Sequence, residues 1–80
     1  MSQNVVVGSY IIYNVGNAEP GLVANVKKQI TDAGGRITYE YSSAANGFAV
    51  SNTPHHVIQA IERDFGDKFM IQPDGIQQLH

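Results

Sequence analysis

Two stretches of this chain repeat apolar residues at helical spacing, and each lies between stretches patterned like strands. Leu22, Val26 and Ile30 fall four apart, with Val23 and Ala33 beside them; Val57, Ile61 and Phe65 do the same, joined by Ile58. Residues four apart share one face of a helix, so both stretches predict amphipathic helices with a core-facing stripe. Pro20 suits the first turn of the first helix, and Gly34-Gly35 supplies the left-handed residue that ends one. Thr53-Pro54 predicts a hydroxyl N-cap and a first-turn proline for the second helix, which Gly66-Asp67 stops. Ahead of the first helix, residues 5–15 are rich in β-branched and aromatic side chains and read as a strand that effectively begins at Gly8-Ser9. Between the helices, residues 36–41 alternate strictly, which predicts Ile37, Tyr39 and Tyr41 on one face and Thr38 and Glu40 on the other. Residues 42–47 form a hairpin loop, residues 48–51 a third strand with Phe48 and Val50 pointing one way, and residues 68–71 a short fourth strand.

The order is therefore β-α-β-β-α-β. Two right-handed crossovers interleave into a four-stranded antiparallel sheet with both helices on one face, an α+β ferredoxin-like plait whose other face is open. Eighty residues allow one domain, spanning 1–80. Its folded core is expected at about residues 8–73, and a Pro73-Asp74-Gly75 turn then leads into a tail at about 74–80. The chain contains no cysteine, so the fold rests on its apolar core alone, with Val26, Ile30, Phe48 and Ile61 expected within it. No run approaches the roughly 18 apolar residues of a membrane span, and the start Met1-Ser2-Gln3-Asn4 lacks the basic residues of a secretory signal. A cytoplasmic or vacuolar location and no membrane partner are the resulting expectations. A formal charge of −2 with five basic residues speaks against a nucleic-acid partner, which demands a basic face.

The residues that catalysis or metal binding would need are poorly arranged. His55 and His56 are adjacent at a helix start, so their side chains diverge by about 100° and do not close on one metal. They read as surface histidines, and His80 lies on the tail. Gly34-Gly35 precedes a strand and lacks the spacing of a phosphate or dinucleotide loop. Asp64 and Asp67 flank a glycine without the further oxygen ligands of a calcium loop. The expectation is a protein that is not an enzyme and carries neither metal nor cofactor.

Several pieces, in register over about residues 9–80, resemble the subtilisin-propeptide-like inhibitors, above all the small stand-alone fungal members of the proteinase A and proteinase B inhibitor type. They are Tyr10-Ile11-Ile12, Ala33-Gly34-Gly35-Arg36-Ile37 leading to Glu40-Tyr41, Gly47-Phe48-Ala49, and Ile71-Gln72-Pro73-Asp74-Gly75-Ile76. The resemblance implies inhibition of a subtilisin-like serine protease by a protein that is monomeric when free. The open sheet face would rest on two protease helices, and Ile76, Gln77, Gln78, Leu79 and His80 would enter the substrate cleft in a product-like way. Backbone pairing of this kind is β-augmentation, with alternate side chains filling subsites. The same docking can assist folding of the protease. One register puts His80 in the first subsite and Gln77 in the fourth; a shift by one puts Leu79 and Ile76 there. Asp74 matches one of two family acidic positions that cap the protease helices, where anions are favoured. Gln72 stands at the other and lacks the charge. Asp74 is equally suited to be a turn residue before Gly75. The strand that usually runs into a lysine runs here into Tyr13-Asn14-Val15.

The alternative is a plait-fold binding domain with no protease target: one that stacks single-stranded RNA on its open face, takes a small ligand, or dimerises through the sheet. Asn46-Gly47-Phe48-Ala49-Val50 has the Gly-aromatic core of a third-strand RNA motif, although Val50 stands where a second aromatic is expected.

Overall fold

The computed structural model describes residues 6–41, 47–74 and 78–79. The elements run β1 (Val6–Asn14), α1 (Pro20–Asp32), β2 (Arg36–Tyr41), β3 (Gly47–Pro54), α2 (His55–Phe65), β4 (Phe69–Pro73) and a two-residue β5 (Gln78–Leu79). The four long strands lie in the order β2-β3-β1-β4, with every pairing antiparallel, and β5 pairs with β1. This is the expected β-α-β-β-α-β plait with one short strand added. Residues 1–5, 42–46, 75–77 and 80 lie outside the description, and with them the hairpin loop and most of the tail.

The helix pattern places the core as its periodicity implies. Val26, Ile30 and Ile61 are fully buried, Ile58 and Phe48 nearly so, and Tyr10, Ile12, Val50 and Phe69 complete the layer between helices and sheet. All four residues expected in the core are there. Helix α1 begins with Pro20 at its first turn and ends in a Schellman motif. The Gly35 N–H donates to the Ile30 carbonyl at 2.9 Å and the Gly34 N–H to the Thr31 carbonyl at 3.1 Å, with Gly34 at φ +95°. The two glycines serve different needs. An added Cβ on Gly34 would meet nothing within 4 Å, whereas on Gly35 it would lie 2.5 Å from Ile30 Cγ2 and 2.7 Å from Thr53 Oγ1.

Three expectations are corrected. Strand β2 does not alternate strictly, because the register slips between Ile37 and Tyr39. Ile37 pairs with Val50 and packs against the core, whereas Tyr39 and Tyr41 pair with Ala49 and Gly47 and turn to the open face. The extra residue is Thr38, as in a β-bulge. Second, β3 is longer than four residues. A register shift against β1 between Gly8 and Tyr10 is absorbed near Asn52, whose φ of 51° is one that asparagine tolerates better than most residues. The strand thereby continues to Pro54. Third, Thr53 does not cap α2. Its side chain is completely buried and donates to the Ser51 carbonyl at 3.0 Å, and Pro54 occupies the N-cap position with no side-chain cap. A threonine hydroxyl bonds locally in either way, and here burial against Gly35 selects the second.

Candidate functional site

Strand register decides which side chains the open face carries. Two rows run across the four strands: Tyr39, Ala49, Ile11 and Gln72, then Tyr41, Gly47, Tyr13 and Met70. Partners in antiparallel pairs project to the same side, so these eight share the face opposite the helices. Tyr39 is 60% exposed and Met70 45%, large values for residues of their size, and Ile11, Tyr13 and Tyr41 are half-buried. The Tyr39 and Tyr41 rings meet edge-on with centroids 4.8 Å apart. None of the eight is basic; Arg36, paired with Ser51 one position beyond the inward Ile37–Val50 pair, is the basic residue on the same side. A largely apolar surface carrying three tyrosines and a methionine has the composition of a protein interface.

The two large β3 side chains on the helix side of the sheet are taken up in core packing. Phe48 is 3% exposed, with Lys27 Nζ 5.2 Å from its ring centroid, and Val50 is 1% exposed. Neither can stack a base, so the sequence likeness to a third-strand RNA motif places no aromatic ring of β3 on the open face. Lys27 also pairs with Glu40 at 2.5 Å, tying α1 to β2. No group of three His, Asp or Glu side chains that could hold a metal occurs among the described residues. His55 and His56 are both exposed, and His55 Nδ1 lies 3.2 Å from the Tyr10 hydroxyl. Burial pushes the Tyr10 phenol above its ordinary value of 10.0, and the Glu62 carboxylate adds to the shift. No helix is long and apolar enough to cross a membrane among the described residues.

The sequence-predicted tail is placed only in part. Gln72 lies in β4 opposite Ile11, exposed on the open face. Asp74 is also exposed, and its backbone N–H donates to the Ser9 carbonyl at 2.7 Å just beyond the end of β4. Ile76, Gln77 and His80 lie outside the described residues. Gln78 and Leu79 pair antiparallel with Val7 and Val6, in a register shifted by two residues from that of β4. At both described positions, then, the segment expected to project beyond a finished sheet belongs to the sheet. A strand was not anticipated here, because Gln78 and Leu79 alone have neither the length nor the alternation that marks one.

Asn14, at the end of β1, has a structural role. Its Oδ1 accepts the Ala18 N–H at 2.8 Å and its Nδ2 donates to the Ala18 carbonyl at 3.3 Å, closing the loop before α1. Tyr13 and Met70 are open-face residues that the sequence reading passed over. β1 is apolar on both faces, so its alternation does not say which residues face outward. No protein-family model, no curated protein and no solved structure matches this chain.

Proposed function

We propose that this protein is an inhibitor of subtilisin-like serine proteases that docks through the open face of its sheet. The observation that carries the reading is that face: two rows containing Tyr39, Tyr41, Tyr13, Ile11 and Met70, none of them basic and none covered by another described element, with Arg36 as the single basic neighbour beside the rows on β2. It fits a protein partner and disfavours RNA, and the sequence resemblance supplies the class of partner. Gln72, on that face, and Asp74, exposed just past the end of β4, are the residues this reading assigns to the protease helices. In this reading the face makes the first contact, and residues 76–80 then occupy the substrate cleft.

A segment paired with its own β1 is not available to a cleft. The reading therefore requires β5 to detach when the protease binds. Two residue pairs are a small obstacle, because each backbone hydrogen bond contributes only about 0.5–1.5 kcal/mol net. Removal of residues 76–80 tests the cleft element directly. Inhibition of a subtilisin is expected to fall steeply while the domain stays folded by circular dichroism. Undiminished inhibition by the shortened protein would remove the segment from the mechanism.

A further inference from the structure

We infer that the beginning of β1 is a latch that holds the C-terminal segment in a self-paired state and so limits its availability to an extended-peptide cleft. The consequence for inhibition rests on the function proposed above; the latch itself does not. Leu79 stands opposite Val6 and Gln78 opposite Val7. The pairing of β1 with β3 begins only at Val7, whose partner is Pro54. Proline has no N–H to donate to the ladder, so β3 holds this end of β1 poorly. Val6 has β5 as its only strand partner among the described residues. The two short segments thus order one another, and everything from Gly8 onward is held independently by β3 and β4.

A unit this small opens locally without unfolding the domain. A closed-to-open ratio of about tenfold corresponds to ~1.4 kcal/mol. Apparent affinity for a cleft that takes only the open form falls by the same factor. Removing the latch restores that factor, and making it permanent abolishes cleft binding.

A reversible lock tests this. Directly opposed residues of an antiparallel pair have Cα atoms about 4.5–5.5 Å apart, within the roughly 4.4–6.8 Å that a disulfide spans. The chain has no cysteine of its own, so Val7→Cys with Gln78→Cys introduces one defined bridge. Two readouts are taken on the oxidised variant, on the reduced variant and on the protein lacking residues 1–7. The first is amide hydrogen exchange at residues 78–79. About tenfold slowing relative to an unstructured peptide is expected in the unmodified protein, loss of that slowing without residues 1–7, and stronger slowing on oxidation. The second is inhibition of a subtilisin, expected to be at least about tenfold weaker for the oxidised than for the reduced form.

Exchange at the unstructured rate in the unmodified protein would overturn the latch, and measurable but equal inhibition by the two redox forms would overturn its control over the cleft. Latch-dependent exchange without inhibition by any form would instead sustain the latch and refute the inhibitor reading.

Discussion

Replacing Gly34 and Gly35 one at a time separates two physical reasons for glycine that the sequence merges into one dipeptide. At Gly34 the constraint is conformational: φ is +95° and the space around an added Cβ is empty. An L-residue in the left-handed region costs about 1–2 kcal/mol, offset by about 0.4–1 kcal/mol from the less flexible unfolded chain. Gly34→Ala should therefore destabilise by about 1 kcal/mol net. At Gly35 the constraint is room. A Cβ would lie 2.5 Å from Ile30 Cγ2, 2.7 Å from Thr53 Oγ1 and 2.9 Å from the Ile30 carbonyl oxygen. Ile30 and Thr53 are both completely buried, and the carbonyl already accepts the Gly35 N–H, so none of the three yields easily. Overpacking costs about 1–3 kcal/mol, and Gly35→Ala belongs at the upper end. For 80 residues the unfolding entropy is about 0.17 kcal/mol/K, so Tm should fall by about 6 °C for Gly34→Ala and about 18 °C for Gly35→Ala. Thermal and urea unfolding followed by circular dichroism give both values. D-alanine at position 34, introduced by chemical synthesis, should be neutral or slightly stabilising, because it prefers positive φ. A larger loss at position 34 than at 35, or destabilisation by D-alanine, would refute this division of roles.

Two further outcomes follow from single side chains. The folded state raises the Tyr10 phenol above its ordinary 10.0, so it holds the proton more tightly than the unfolded state does. That stability is fully present below pH 10 and is lost as pH rises through the folded value, so alkaline unfolding should be delayed in Tyr10→Phe relative to its own stability at pH 8. An identical pH profile for the two proteins would contradict the assignment. Asn14→Ala removes both hydrogen bonds to Ala18 and should cost about 1–2 kcal/mol in urea unfolding. Asn14→Asp keeps the acceptor and should recover part of that loss.

Much of the plait was legible because its signals are periodic. The four-residue spacing of Val57, Ile61 and Phe65 marks a buried stripe whatever surrounds it, and Pro20 and Gly34 punctuate α1 from its two ends. What stayed hidden depends on how strands meet. Nothing about Thr38 as a residue type announces a bulge, yet the slip there sends Ile37 inward and Tyr39 outward. Asn52 was a usable cue, since asparagine before a buried Thr-Pro pair accepts the positive φ that lets β3 continue. The open face was half legible. Alternation pairs Tyr39 with Tyr41 on one side of β2, but it groups Ile37 with them, and only the slip at Thr38 turns the two tyrosines outward. Choosing Tyr13 over Tyr10 likewise needs the register, because both belong to an apolar run. The pairing of β5 with Val6 and Val7 joins residues more than seventy apart, and no local pattern encodes it.

Protease inhibition is tested most directly by titrating a subtilisin-like and a chymotrypsin-like serine protease with the 80-residue chain and following residual peptidase activity. Saturable loss of the subtilisin-like activity alone is the predicted result. Full activity of the subtilisin-like enzyme at a large molar excess of the protein, or equal loss in both enzymes, would contradict the account.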